Sequence, residues 1–423
     1  MIKRAIFEEL KSHLRQKEIS LLVGPRQAGK TTLMKLLQEF LEREGEKTLY
    51  LNLDFESDQP FFQSQKALIQ KIELELGKQK GFIFIDEIQR KENAGLFLKG
   101  LYDYDLPYKF IVSGSGSVEL KEKIHESLLG RKRLFEIETL SFKEFVNFKT
   151  DYRYQEKLIN FFAVEQEKGG ILLEEYLNFG GYPRVVLEET LSEKKKIMDE
   201  IYRSLLEKDM AYLLKVEKIE AFSHLIKILA SQIGRIVNFS ELSSTIGISL
   251  KTIENYFRYA QKTYIIEKLT PYFRNPRTEI SKAPVVYFHD LGLRNYALGC
   301  FGNLPLGMER GFLFQNFIFR LLKEKYHQET LALHFWRTKD KAEVDFVLEI
   351  AGQFIPVEIK YTELKRPELG RSLRSFISRY KSPEAWVVNL ALEEKLSVEN
   401  AEVHILPFYA LIDTLFVQKM LTL

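Results

Sequence analysis

The stretch Gly24-Pro25-Arg26-Gln27-Ala28-Gly29-Lys30-Thr31 decides how the rest of this chain is read. It fits G-x-x-x-x-G-K-[ST], in which glycines let backbone N–H groups wrap a phosphate chain. The lysine reaches the β and γ phosphates, and the hydroxyl residue holds Mg²⁺. Before it, Ile19 to Val23 reads as a short apolar strand. After it, Leu33, Met34, Leu36, Leu37, Phe40 and Leu41 form the apolar stripe of a helix. That helix opens at Thr31, so its dipole adds to anion binding at the loop. Gly24, Pro25, Arg26, Gln27, Ala28, Gly29, Lys30, Thr31 and Thr32 are therefore the expected nucleotide-binding residues, with ATP and Mg²⁺ as the expected cofactors. A glycine-rich turn without a ligand is the bland alternative.

Working outward, Thr48 to Leu53 alternates like a strand, and Lys109 to Val112 reads as another. Phe82-Ile83-Phe84-Ile85 is a continuous apolar run that ends in Asp86-Glu87, typical of a buried parallel strand. Asp86 is expected to support the metal and Glu87 to act as general base on the attacking water. The next strand tip, Val112-Ser113-Gly114-Ser115, offers Ser113 or Ser115 to orient that water. Arg131 is read as an arginine finger or sensor, or else as a salt-bridged surface residue. Strands alternating with helical patterns point to βαβ units and a parallel sheet.

Together these segments resemble the AAA-superfamily ATPases. More narrowly, the chain resembles bacterial and archaeal ATPases that carry a C-terminal domain of unknown function. Their pattern is GPRQ(x)GKTT, a DEIQ-like strand end, GS after the third strand, a GR, and a YLxxGGYP loop. This chain reads GPRQAGKTT, DEIQ, SGS, LLGRK and YLNFGGYPRV, and the likeness runs over essentially its whole length. The resemblance implies an ATPase core followed by accessory modules. The residues themselves assign no role to Gly180-Gly181-Tyr182-Pro183-Arg184: Arg184 touches nucleotide, or the loop is a structural turn.

The second half carries two further patterns. Asn238 to Ser249 reads as a short helix, a glycine turn at Gly247 and an N-cap serine, and Leu250 to Thr263 as the next helix. This is a helix-turn-helix signature, with Ile265–Leu269 and Pro284–Phe288 as a possible wing. Lys251, Asn255 and Arg258 fall on the exposed side of its second helix, where they would meet DNA phosphates. The alternative is a protein-docking winged helix. Further on, Asp345 and the Glu358-Ile359-Lys360 segment lie on neighbouring strands, with Glu358 and Lys360 on one face. Asp345 and Glu358 are candidate metal ligands and Lys360 the candidate lysine for phosphodiester hydrolysis. The D-x12-E-x-K spacing resembles the PD-(D/E)XK nuclease fold. The preceding helix offers Gln315 where such nucleases carry Glu. Glu309, Glu324 and Glu343 are the possible substitutes, and a degenerate domain used for binding is the other reading.

Composition closes off several classes. Lys plus Arg is 62 against 59 Asp plus Glu, so no global field advertises nucleic acid and any basic surface is local. The single cysteine, Cys300, excludes an internal disulfide and a Cys-rich zinc site and suits a cytoplasmic chain. The opening MIKRAIFEELKSHL lacks the apolar region of a secretory leader, and no apolar run spans a membrane. The expected fold is α/β. A P-loop ATPase core with a parallel sheet over 1–150 precedes a helical lid over 151–230. A winged helix over 231–283 and an α/β restriction-nuclease-like domain over 284–423 follow. The expected activity is Mg²⁺-dependent ATP hydrolysis coupled to DNA. The alternatives are a slow nucleotide switch acting through protein partners and an ATP-gated nuclease. An Arg131 acting in trans would require a homo-oligomer or partner.

Overall fold

The computed structural model describes residues 2–115, 127–206, 219–272, 283–304, 307–326, 331–350 and 352–412. Strands β1 (Ile19–Gly24), β2 (Thr48–Asn52), β3 (Gly81–Asp86), β4 (Tyr108–Ser115) and β5 (Lys132–Glu136) form a parallel sheet in the order β2-β3-β4-β1-β5. Every residue of β1 and β3 is buried, because helices cover both faces of the sheet. Leu21, Ile83, Ile85 and Val112 pack with Ile72 and Leu98 on one face. Leu22, Phe84 and Ile111 pack with Met34 and Leu37 on the other. The four expected strands are present. β5 was not anticipated, since its residues Lys-Arg-Leu-Phe-Glu carry no apolar run. It is an edge strand, and only Phe135 of its five residues is buried.

From Leu140 onward a single apolar cluster continues to Ile412. The helix Phe142–Lys149 starts with a capping box between Ser141 and Glu144 and points Phe142 at Tyr176 and Phe317, with ring centroids 5.2 and 5.0 Å away. By its packing, this helix belongs with the segments that follow it. Helices Phe239–Ile246 and Leu250–Lys262 are separated by Gly247, at φ +76°, and capped by Ser249. β6 (Ile266–Leu269) and β7 (Val285–Phe288) pair as an antiparallel ribbon beside them. The second sheet joins β8 (Leu331–Arg337), β9 (Glu343–Ile350), β10 (Gln353–Ile359), β11 (Glu384–Asn389), β12 (Glu394–Val398) and β13 (Ala401–Pro407). Its order is β12-β13-β11-β10-β9-β8. Residues 384–412 give three strands and a short 3-10 turn ending at Ile412. Among the described residues no helix is long and apolar enough to cross a membrane.

At the end of the first sheet away from the phosphate loop, His13, Ser20 and Lys109 are buried together. The His13 Nδ1 lies 2.8 Å from the Ser20 hydroxyl and 3.2 Å from the Lys109 ammonium. Burial, then the neighbouring cations Lys109 and Arg133, hold the imidazole down to about 4. Burial likewise lowers Lys109 to about 8. The unfolded histidine takes up its proton near pH 6.5, whereas the folded one stays neutral until about 4. Its contribution to stability is therefore complete above pH 6.5 and is lost as pH falls from there toward 4. Thermal melts at pH 7.5, 6.0 and 4.5 should show His13→Gln losing less stability than wild type on acidification, by up to about 3 kcal/mol.

Candidate active site

The phosphate loop leaves β1 at Gly24, whose φ is +153°. A Cβ there would lie 2.0 Å from the carbonyl oxygen of Ile137, so only glycine fits. Gln27 and Gly29 also take positive φ, +61° and +98°, and Gly29 caps the helix Lys30–Arg43. Lys30 is 6% exposed and donates to the carbonyls of Gly24 at 3.0 Å and Pro25 at 2.8 Å. Its ammonium thus lies against the loop on neutral acceptors that an anion can replace.

Asp86 ends β3 and is buried. Its Oδ2 accepts from the Thr31 hydroxyl at 2.8 Å and the Tyr50 hydroxyl at 2.7 Å. Its Oδ1 accepts from the Ser113 hydroxyl and from the Glu87 N–H at 3.1 Å. The sheet register explains the convergence, because β3 lies between β2 and β4. Ser113 also accepts from the Glu87 N–H at 3.3 Å. It is fully buried, so it positions the two acids rather than reaching into the cavity. Ser115 ends β4 opposite Gly24, and its side chain lies outside the described residues. Glu87 sits at φ +58°, and its carboxylate accepts from the Gln89 side-chain amide. Burial, then the charge of Asp86, raises its pKa from the ordinary carboxylate value, the direction that suits a base.

Over this loop lies a cavity of about 550 Å³ lined by residues that include Arg4, Gln27, Lys30, Thr31, Glu87 and Arg184. Arg184 donates to Gln27 Oε1 and Glu200 Oε2, both at 2.9 Å. The Gly180–Arg184 loop therefore forms one wall of the site, a role that sequence alone left open. Buried Asp290 fastens it: Oδ2 accepts from the Gly181 N–H and Oδ1 from the Leu293 N–H, both at 2.8 Å. Arg4, absent from the expected site, donates to the carbonyls of Ala28 at 3.0 Å and Glu138 at 2.7 Å and pairs with Glu144 at 3.1 Å. A lone arginine near the N-terminus carries no pattern that could have flagged it.

Arg131 is a correction within a single chain. It precedes β5, its carbonyl accepts from the Ile19 N–H, and its Nε donates to Asp103 at 2.8 Å. Ile19 starts β1 and the phosphate loop follows its end. The length of the strand, roughly 20 Å, separates Arg131 from the phosphate loop.

The C-terminal acids also differ from expectation. Residues 345 and 358 do face each other across β9 and β10, as the Phe346–Val357 pairing requires. Yet Asp345 Oδ1 accepts from the Gln315 amide at 3.0 Å and Oδ2 from the Ile359 N–H at 2.7 Å. Glu358 accepts from the Gly370 N–H at 3.2 Å and lies 3.6 Å from Lys360. Burial pushes the Asp345 carboxyl up to about 7. Glu309 is turned toward Arg294, 3.6 Å away, Glu343 toward Arg337, also 3.6 Å away, and Glu324 toward the cluster around Arg320. Among the described residues no group of three or more His, Cys, Asp or Glu gathers to hold a metal. Asp345 and Glu358 are thus each bonded to the protein's own donors.

Residues 16–146 match the family described as AAA domain. Residues 171–303 and 310–411 match two domains of unknown function, DUF8612 and DUF4143. An uncharacterized protein of Mycobacterium tuberculosis is 26% identical over 376 residues, 88% of this chain and 76% of that protein. One from Methanocaldococcus jannaschii is 24% identical over 420 residues, 96% and 90% of the two chains. A solved structure of AMPPCP-bound DnaA from Aquifex aeolicus matches at 15% identity over 62% of this chain and 89% of that one, with a TM-score of 0.26. The AAA match contains the phosphate loop, Asp86, Glu87 and Ser113, so the N-terminal third is similar to an AAA domain.

Asp290→Ala would leave two buried N–H groups without acceptors and uncap the helix Leu291–Leu298. The loss should be about 2–4 kcal/mol, read as a lowered thermal midpoint in the full chain.

Proposed function

We propose that this chain is a Mg²⁺-dependent ATPase whose nucleotide state is coupled to DNA. The observation that carries the reading is that Lys30, Thr31 and Glu87 line one cavity, with Asp86 buried behind them and bonded to the Thr31 hydroxyl and the Glu87 N–H, on a loop whose Gly24 leaves room only for backbone. The donor set fits the cation, because a hydroxyl and a buried carboxylate are the hard oxygen ligands that Mg²⁺ takes alongside phosphate. Thr31 and Asp86 would hold it, and when bound it would offset charge on the β and γ phosphates.

The chain's own residues divide the remaining work. Lys30 exchanges the Gly24 and Pro25 carbonyls for phosphate oxygens. Gly24, Pro25, Arg26, Gln27, Ala28, Gly29 and Thr32 shape the loop around those oxygens. Glu87 takes a proton from the attacking water, a role suited to its raised pKa. Ser113 holds Asp86 and the Glu87 backbone in register. Arg184, at the rim on Gln27, supplies a positive charge that Arg131 provides only from a neighbouring copy in an oligomer.

The DNA-facing part is the winged-helix unit. Lys251 and Arg258 are exposed and Asn255 half-buried on the helix Leu250–Lys262, at i, i+4 and i+7 along one stripe. Contacts of this kind go to phosphates and weaken steeply with salt. The last domain then serves binding or packing, consistent with the closed hydrogen bonding of Asp345.

The test is ATP turnover and nucleotide binding, with and without double-stranded DNA, across salt. Lys30→Ala should abolish nucleotide binding. Glu87→Gln should retain binding and lose about 100-fold or more in turnover. DNA should raise wild-type turnover at low salt, with the effect fading as salt rises. Turnover indifferent to DNA at every salt would remove the nucleic-acid coupling and leave a switch that acts on protein partners.

A further inference from the structure

Asp86 receives four donors, and one of them lies outside the phosphate loop and the two strand tips beside it. Thr31, Ser113 and the Glu87 N–H belong to those elements. Tyr50 does not. It comes from the middle of β2, opposite Phe84, and stacks on that ring with centroids 6.1 Å apart and planes 16° apart. The stacking aims the phenol along the strand, where its hydroxyl meets Asp86 Oδ2 at 2.7 Å. Thr31 shares that same oxygen at 2.8 Å.

An ionised carboxylate has about four lone-pair sites, and all four are used here. Ser113 and the Glu87 N–H occupy Oδ1 from the sheet side. Tyr50 acts on the other oxygen, the Oδ2 that also accepts from Thr31.

We infer that Tyr50 is a positioning residue that sets the affinity of this site for the divalent cation of its nucleotide, by fixing Asp86 Oδ2 beside the Thr31 hydroxyl. The inference rests on the ATPase reading above and adds to it a residue outside the phosphate loop and strand tips. Hydrogen-bond partners that orient a metal-binding carboxylate typically contribute 10–100-fold to metal affinity. The cost of losing Tyr50 should fall on the cation and spare the nucleotide's contacts with the loop.

The experiment measures equilibrium binding of a fluorescent ATP analogue to the full chain, first in EDTA and then along a Mg²⁺ titration. It compares wild type, Tyr50→Phe and Tyr108→Phe. Tyr50→Phe keeps the ring that stacks on Phe84. Tyr108→Phe removes a hydroxyl from the same sheet, one that donates to the Gly77 carbonyl at 2.5 Å, away from the site. Tyr50→Phe should raise the half-saturating Mg²⁺ concentration about 10-fold or more and leave affinity in EDTA unchanged. Tyr108→Phe should move neither. An unchanged Mg²⁺ midpoint in Tyr50→Phe overturns the inference while the ATPase reading stands. So does an equal loss of affinity in EDTA and in Mg²⁺, which would mark Tyr50 as packing for the loop. A wild-type chain that binds no nucleotide under either condition overturns the ATPase reading itself.

Discussion

The molecule is organised around a contact with no spare room: the Ile137 carbonyl against the α-carbon of Gly24. A Cβ at Gly24 would sit 2.0 Å from that oxygen, and the Ile137 N–H donates to Val23 at 2.7 Å. The exit of β5 is thereby fused to the start of the phosphate loop. The residues flanking Ile137 carry the connection outward. Glu136 accepts from the Tyr264 hydroxyl at 3.0 Å, at the foot of the ribbon strand β6. Glu138 pairs with Arg320, which also lies 3.4 Å from Glu267. Arg320 is buried, and losing one member of a buried ion pair costs several kcal/mol. Three consecutive residues thus join the phosphate loop to the β6–β7 ribbon and to the helix Met308–Tyr326.

The opposite wall of the cavity is held by a second close approach. A Cβ on Gly181 would lie 2.3 Å from the Leu140 carbonyl, and one on Gly292 would lie 2.0 Å from the Phe179 carbonyl. Asp290 closes the arrangement by accepting from Gly181 while capping its own helix. Two distant glycine loops are interlocked around one buried carboxylate, and Pro183 and Arg184 are carried over the phosphate loop as a consequence. Burial raises the Asp290 carboxyl, and its N–H donors oppose that rise. The clasp is a backbone device, which is why the residues of the YLNFGGYPRV segment matter more for their size than for their chemistry.

Legibility in the sequence followed how local the determinant was. The phosphate loop, the strand ending in Asp86-Glu87, and the helix-turn-helix spacing are short patterns whose residues act near where they are written. They could be placed from the chain alone. β5 could not, because an edge strand needs no apolar run and its charged alternation looks like a loop. Tyr50 and Arg4 act on partners 36 and 24 residues away, and neither lies in a motif. Arg131 failed for the opposite reason. It does lie in a motif, but a parallel sheet puts the residue before a strand at the end of the sheet away from the ligand.

The C-terminal domain shows how one side chain decides between two chemistries on the same strands. The cross-strand register that brings residues 345 and 358 together is the one the D-x12-E-x-K spacing requires. What differs is the third element, where Gln315 faces Asp345. A carboxylate there would repel Asp345 and invite a cation to reconcile the two. An amide donates an N–H and settles the charge with a hydrogen bond of 3.0 Å. Asp345 then loses its hydration without gaining a counter-ion, and its carboxyl rises to about 7, the direction desolvation dictates. A hard cation would have to displace both the Gln315 amide and the Ile359 N–H to reach it. The second sheet thus sets residues 345 and 358 on neighbouring strands while Asp345 is closed by internal hydrogen bonds. Asp86, on the first sheet, is held mainly by hydroxyls, which can turn to other acceptors when a cation takes their place.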